Sequence, residues 1–159
     1  MQPLTPTHVQ QTLDARLPGT KITFFDEPTA TSQQAADAIG CELGQIVKSL
    51  AFVVDGTPVL VLASGDQRVD DRKLATLYTV GRKKVKTATP AQCVEIYGYV
   101  PGGVPPVAHR QTLPTYIDDS LRRYETVYAA AVAHNAIFPL AFDDLVKITD
   151  GTVMDVKKE

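Results

Sequence analysis

The strongest structural signal in the chain is the segment Ile46-Val47-Lys48-Ser49-Leu50-Ala51-Phe52-Val53-Val54, followed by Asp55-Gly56 and then by Pro58-Val59-Leu60-Val61-Leu62-Ala63. Both runs are rich in β-branched and other apolar residues, a composition typical of strands. Asp-Gly is favoured in the tight turns that join antiparallel strands. The segment therefore predicts a β-hairpin, and its near-continuous hydrophobicity indicates a central position in a sheet.

Helical and extended patterns surround this hairpin. Apolar spacing and end signals predict helices over about 6–17, 32–39, 70–78, 89–97 and 143–148. Short apolar runs predict further strands over about 21–25, 127–131 and 136–140. Because strands and helices are interspersed rather than strictly alternating, we expect a mixed α/β (α+β) fold. In this fold, helices surround a central sheet that is largely antiparallel or mixed.

Composition restricts the class of protein. The 159 residues, 44% of them hydrophobic, suit one domain over 1–159 whose core needs no disulfide or metal. Sixteen Lys and Arg against 18 Asp and Glu give a net charge of −2, which argues against a broadly basic protein that binds nucleic acid non-specifically. No signal-like N-terminus or membrane-length apolar stretch is present, and Cys41 and Cys93 match no zinc or redox spacing. We expect a cytoplasmic protein without a membrane partner.

Lys48 is a charged residue within the most apolar run of the chain. Strand alternation places it on the face shared by Ile46, Leu50, Phe52 and Val54. An ammonium group on such a face is costly unless it is paired or opens onto a cavity. Two interpretations stay open: a strand-end lysine whose stem is buried while its charge reaches water, and a cationic group at the floor of a pocket.

A second unusual segment is Gly98-Tyr99-Val100-Pro101-Gly102-Gly103-Val104-Pro105-Pro106. Adjacent glycines can adopt backbone angles closed to other residues, and the prolines stiffen their flanks. The segment is either a structural turn or a loop that presents backbone N–H groups to a carbonyl or oxyanion. The glycine-rich fingerprints of phosphate-binding loops are absent.

The densest positive stretch comprises Arg82, Lys83, Lys84 and Lys86. It is either a solvated surface or a patch that contacts phosphates on an otherwise neutral protein. His109, Asp118 and Ser120 include the residue types of a nucleophilic triad, but no Gly-x-Ser-x-Gly motif surrounds the serine. The scattered His and Cys residues show no metal-ligand spacing. We therefore predict no protein nucleophile, no metal and no cofactor.

The order and spacing of three segments resemble those of the YbaK/EbsC family of aminoacyl-tRNA deacylases, which is related to the editing domain of bacterial prolyl-tRNA synthetases. The segments are Gln45-Ile46-Val47-Lys48-Ser49-Leu50, Gly102-Gly103-Val104-Pro105-Pro106 and Leu113-Pro114-Thr115-Tyr116-Ile117-Asp118. The resemblance extends from the first helix to Ile148. It implies a mixed α/β domain with a pocket beside its sheet, in which Lys48 is the family's essential lysine. The substrate-binding candidates are Ser49, Gly102, Gly103, Val104, Pro105 and His109.

The chain also departs from this family's pattern. Several relatives carry a glycine in place of Ala108 and a serine in place of Pro105. The relatives that deacylate Cys-tRNA carry a serine and an aspartate in the segment of Ala130 and Ile137. The loss of both polar groups disfavours a cysteine-specific pocket and predicts a more apolar wall.

Three functions follow from these observations. The leading hypothesis is a trans-editing hydrolase that cleaves the ester bond of a mischarged aminoacyl-tRNA, with proline tRNA carrying a small non-cognate amino acid as the expected substrate. Its candidate partners are the acceptor end of the tRNA and prolyl-tRNA synthetase, and its tRNA-binding candidates are Arg82, Lys83, Lys84 and Lys86. The alternative is a non-catalytic module that binds tRNA or an aminoacylated ligand in a degenerate pocket. The third is a hydrolase of a small aminoacyl ester.

Overall fold

The predicted hairpin forms the middle of the sheet. In the computed structural model, which describes residues 2–159, strands β2 (Ile46–Val54) and β3 (Thr57–Ser64) pair antiparallel along their whole length. Asp55 and Gly56 both have positive φ, +48° and +82°, the turn geometry that suits the twist of two joined strands. The prediction of a central hairpin is confirmed. Met1, the first residue of the predicted domain, lies outside the described residues.

Six further strands extend the sheet. They are β1 (Thr23–Phe24), β4 (Val85–Thr87), β5 (Thr115–Asp118), β6 (Thr126–Ala130), β7 (Ala136–Ala141) and β8 (Thr152–Met154). The strand order is β1-β7-β6-β2-β3-β5-β8, and β4 pairs with β2 beyond the end of β6. The pairs β2–β6, β3–β5 and β5–β8 are parallel, and the other pairs are antiparallel. The mixed α/β class with a mixed sheet is confirmed.

Five α-helices pack around this sheet. They are α1 (Pro6–Arg16), α2 (Ser32–Ile39), α3 (Asp71–Tyr78), α4 (Pro90–Gln92) and α5 (Phe142–Thr149). A π-helical turn, Cys93–Tyr97, continues α4, so the helix predicted over 89–97 consists of an α-helical turn followed by a π-helical turn. Gly40 ends α2 in the left-handed conformation, as its position predicts. None of the helices in residues 2–159 is long and apolar enough to cross a membrane.

The core lies on both faces of β3. Leu60 and Leu62 belong to the main apolar cluster, which includes Val9 and Leu13 of α1. On the other face, Val61 packs with Leu74 of α3. Since β3 is covered on both sides, its sequence is continuously apolar rather than alternating.

Candidate active site

A break in the strand pairing of β2 creates the candidate site. On the edge of β2 opposite β3, the ladder with β6 ends at Val47–Ala129, and the ladder with β4 begins only at Phe52–Thr87. We call residues 48–50, which lie between these two ladders, the sheet gap. A cavity of about 310 Å³ opens there, and its lining includes Lys48, Ser49 and Leu50. Residues from both faces of β2 can line one cavity because the neighbouring strand is absent at this point.

Lys48 is half-buried at this cavity. Its Nζ donates a hydrogen bond to the backbone carbonyl of Gln67, in the loop after β3. Burial lowers the pKa of the Lys48 ammonium below its ordinary value; the nearby Arg68 charge acts in the same direction, and Asp66 opposes it. Lys48 is therefore a partly buried residue of the cavity lining, and its ammonium is satisfied by a backbone carbonyl.

Ser49 is a second lining residue of the same cavity. Its hydroxyl is buried, and no hydrogen-bond partner for it exists among residues 2–159. The main chain of Ser49 also faces the sheet gap, because the Ala51 carbonyl, two residues further along β2, accepts from Ala88 N at 2.9 Å on that edge. Since neither β6 nor β4 pairs with β2 at this residue, the main-chain N–H of Ser49 is the group that can meet a ligand in the cavity.

One wall of the cavity comes from the start of α2 and the loop before it. Thr29, Ala30, Thr31, Ser32 and Ala35 line it. The position of this wall is fixed by a capping box, in which the Thr31 hydroxyl accepts from Gln34 N at 3.1 Å and the Gln34 side chain accepts from Thr31 N at 3.2 Å.

A further part of the lining, which we call the apolar wall, packs against the first, since Ile46 and Ile137 form one cluster with Ala35. Ile46, Val104, Ala130 and Ile137 line it, and all but Ala130 are buried. Ala130 and Ile137 are the positions at which the sequence predicts a more apolar wall. The cavity lining, taken over residues 2–159, contains no carboxylate, imidazole or thiol.

The Gly102 loop, residues 98–106, contributes Gly102 and Val104 to the cavity lining. Gly103 N donates to the Val100 carbonyl at 3.1 Å, so Val100–Gly103 is a β-turn with Gly102 in the left-handed region at φ +85°. Gly102 lines the cavity, whereas the N–H of Gly103 is occupied within this turn. Gly103 needs its missing side chain for another reason, since a Cβ there would overlap the Val132 carbonyl oxygen.

Gly103, Pro105 and His109 do not line this cavity, although the sequence groups them with Lys48. The Pro105 carbonyl lies 2.7 Å from Nε2 of His109, whose ring packs edge-on against Tyr97 and Tyr99. His109 lines a separate cavity of about 350 Å³ beside α1 and the end of α5. The structure therefore brings together Lys48, Ser49, Gly102 and Val104, and it directs His109 elsewhere.

The basic stretch lies on the same open edge of β2 as the cavity. Arg82–Lys84 forms an exposed 3₁₀ turn that leads into β4, and Lys86 pairs with Val53. Arg82 binds Asp71 at 2.9 Å. Within the described chain, Lys83, Lys84 and Lys86 are exposed and form no ion pair. Val53 is four residues beyond Ser49, roughly 13 Å along a strand.

The family of this domain follows from a comparison with known proteins. The family model of the aminoacyl-tRNA editing domain matches residues 26–148, a range that contains the whole sheet gap and the Gly102 loop. The fold and the site thus define an aminoacyl-tRNA editing domain, and the chain belongs to this family.

Particular relatives confirm the predicted resemblance. EbsC of Enterococcus faecalis, a proposed Cys-tRNA(Pro)/Cys-tRNA(Cys) deacylase, is 27% identical over 133 residues, which are 83% of this chain and 80% of EbsC. Proline–tRNA ligase of Staphylococcus aureus is 30% identical over 101 residues, which are 64% of this chain but 17% of the ligase. The crystal structure of a proposed trans-editing enzyme for prolyl-tRNA synthetase superposes with a TM-score of 0.90 at 37% identity and covers 97% of both chains.

The sequence did not identify the wall formed by Thr29–Ser32. These residues are small and uncharged, and they reach the cavity because β1 pairs with β7 and so positions the loop before α2. The one local signal was Thr31 three residues before Gln34, which marks where a helix begins. It does not indicate what the helix start faces.

Proposed function

We propose that this protein is a trans-editing deacylase that hydrolyses the ester bond of a mischarged aminoacyl-tRNA. The proposed substrate is a proline tRNA that carries a small non-cognate amino acid, with prolyl-tRNA synthetase as a candidate partner. The observation that carries the proposal is the cavity in the sheet gap, which is lined by Lys48 and Ser49 at a point where β2 has no strand partner on that edge. Membership of the editing-domain family supports it.

In the proposed reaction, a water oxygen bonds to the ester carbonyl carbon, and the bond from that carbon to the ribose oxygen breaks. The ribose oxygen leaves with a proton from the water, so the products are the free amino acid and the uncharged tRNA. Lys48 holds the terminal ribose–phosphate or carbonyl region by a charge-assisted contact. The main-chain N–H groups of Ser49 and Gly102 orient the carbonyl oxygen and stabilise its developing charge.

The ester itself is activated, which reduces what the protein must supply. Positioning and stabilisation of the oxyanion can account for a large acceleration. Since no carboxylate, imidazole or thiol lines the cavity among residues 2–159 and Lys48 acts as a cation, the proton acceptor in the proposal is the water network or a group of the substrate.

The apolar wall sets the proposed amino-acid preference. Ala130 and Ile137 offer no polar partner to a side chain, so the proposal favours a small apolar amino acid such as alanine over cysteine. One methylene changes discrimination in an apolar pocket by about 1–3 kcal/mol. The name of EbsC points to cysteine in that protein, which makes cysteine the decisive competitor in an assay.

The proposed function is tested with a panel of proline, alanine, serine and cysteine tRNAs charged with alanine, serine, cysteine or proline. The purified protein is compared with Lys48→Met, which keeps the length of the apolar stem, and with Lys21→Met, which replaces an exposed lysine that pairs with Asp14 of α1. We expect Lys48→Met to slow deacylation about 100-fold or more, by analogy with the loss of an oxyanion donor. Lys21→Met should retain the wild-type rate.

Stability measurements keep this result interpretable. Lys48→Met removes a charge from an apolar face, so the free energy of unfolding should fall by no more than about 1 kcal/mol. Cleavage of no ester, or an equal rate in Lys48→Met, would rule out the proposed reaction. Tight binding of aminoacyl-tRNA without cleavage would establish the alternative, a non-catalytic binding module.

A further inference from the structure

A second concave surface adjoins the cavity at its mouth. It has a volume of about 350 Å³ and shares Ala30 and Gly102 with the cavity. We call it the apolar shelf and define it by Ala30, Val100, Pro101, Val132, Ala133 and His134, together with the two glycines of the loop. No function described above uses it.

The shelf is held in place by contacts between three segments of the chain. Thr29 N donates to the His134 carbonyl at 2.6 Å, which ties the loop before α2 to the turn between β6 and β7. That turn reverses at Val132, whose φ is +77°. The carbonyl oxygen of Val132 occupies the space that a Cβ on Gly103 would need, so the Gly102 loop contacts the same turn. The shelf is therefore a preformed surface.

The chemistry of the shelf differs from that of the cavity. Its lining, taken over residues 2–159, contains no Asp, Glu, Lys or Arg. Val100 is 45% exposed, which is high for a large apolar residue, and Pro101 and the His134 imidazole are also exposed. An apolar surface with one exposed aromatic ring is suited to a group with an apolar face and a polar edge, and nucleobases stack on aromatic side chains.

We propose that the apolar shelf binds the terminal nucleobase of the substrate while the aminoacyl ester occupies the cavity. This inference rests on the proposed function, because it assigns the second part of the same ligand. The ester is joined to the ribose of the terminal nucleotide, so its base lies one ribose away from the reacting carbonyl. A surface that shares Ala30 and Gly102 with the cavity has this relation to it. His134 stacks on the base, and Val100 and Pro101 cover its edge.

The experiment uses adenosine 5′-monophosphate and ribose 5-phosphate as probes, so that it does not depend on hydrolysis. Both are titrated into the full-length protein and followed by NMR, with His134→Ala and Val100→Ser as test variants. The matched controls are His8→Ala in α1 and Leu77→Ser, an exposed apolar residue of α3. We expect the nucleotide to shift the resonances of Val100, Ala133 and His134, and we expect each test variant to weaken its binding about 5- to 10-fold. Binding of ribose 5-phosphate should not change.

A kinetic measurement separates the shelf from the cavity. For any mischarged tRNA that the protein cleaves, His134→Ala should raise KM about 5- to 10-fold with kcat unchanged, and it should not affect cleavage of the methyl ester of the same amino acid. The inference is overturned if the nucleotide does not bind saturably, if it binds no better than ribose 5-phosphate, or if its shifts map to another surface. Nucleotide binding at the shelf without cleavage of any ester would leave the shelf in place and reject the proposed function alone.

Discussion

At the residue scale, the position of Lys48 reveals a conflict between folding and chemistry. A half-buried ammonium on an apolar strand face does not favour folding, and burial depresses its pKa accordingly. The sequence exposed this conflict because a single Lys interrupts an otherwise apolar run. Such local inconsistencies are expected at functional sites, which are often stabilised by the rest of the fold.

The two glycines of the loop should respond differently to substitution by alanine. At Gly102, nothing lies near an added Cβ, but the φ of +85° is strained for alanine, so the expected loss of stability is about 1 kcal/mol. At Gly103, the Cβ would overlap the Val132 backbone, which cannot move as a flexible side chain can, and the expected loss is about 1–3 kcal/mol. Urea unfolding of both variants measures this, and a larger loss at Gly102 would contradict the described packing.

His109 should make stability depend on pH. Burial lowers its pKa below the ordinary value of 6.5, and the hydrogen bond to the Pro105 carbonyl opposes this more weakly. His109 in the unfolded chain therefore binds a proton more readily than in the folded protein. The contribution of the neutral His109 to the free energy of unfolding is fully present above pH 6.5, and it is lost as the pH falls through the lowered pKa of the folded state. The slope contributed by this group is at most about 1.4 kcal/mol per pH unit.

Urea unfolding between about pH 7.5 and 5.0 checks this expectation. His109→Gln should flatten the pH dependence of the unfolding free energy, whereas His8→Gln should not. An equally steep dependence in His109→Gln would assign the effect to other groups.

At the element scale, local signals predicted most helices and the longest strands. The hairpin, α2 with its glycine cap, and the β6–β7 pair all appear where the sequence places them. Strands β4, β5 and β8 were not predicted. They have only three or four residues, and their pairing partners are distant in sequence. Their extended form depends on tertiary pairing, which periodicity within a short window cannot register.

The same distinction applies to the site. Lys48 and Gly102 carry signals of their own, an isolated charge and a double glycine. The sheet gap has no such signal, because it arises from where β6 ends relative to where β4 begins. The basis of the cavity is therefore a property of strand register rather than of any residue type.

The capping box of α2 should couple helix stability to the cavity wall. Thr31→Ala removes the cap, so we expect a loss of about 1 kcal/mol in unfolding free energy and a several-fold rise in KM for the ester. Thr89→Ala is the matched control, since Thr89 forms the same capping box with Gln92 in α4, away from the cavity. It should lose similar stability and keep its KM. An equal rise in KM for both would indicate a global effect.

At the scale of the whole molecule, a net charge of −2 does not attract nucleic acid, so binding of tRNA depends on a local cluster of positive side chains. Lys83 and Lys84 supply unpaired positive charge on the edge of β2 that also opens into the cavity. The double variant Lys83→Glu, Lys84→Glu should weaken tRNA binding and reduce the slope of log affinity against log salt by about 0.7–0.9 for each phosphate that the variant no longer neutralises. Lys147→Glu with Lys158→Glu, the control, changes the net charge equally elsewhere on the surface. Identical slopes in the wild type and in Lys83→Glu, Lys84→Glu would remove the basic stretch from the interface.

The sheet gap also has a consequence for biosynthesis. The sheet gap begins where the pairing of β2 with β6 ends, and this pairing joins Ile46 to Tyr128, 82 positions later. The loop before α2 is held in place by β1, which pairs with residues 136 and 137 of β7. A chain that leaves the ribosome from its N-terminus can form the β2–β3 hairpin early, but it has no cavity until β6 and β7 have emerged. Nascent and prematurely terminated chains therefore contain Lys48 without a pocket around it, and the binding site exists only in a chain that is nearly complete.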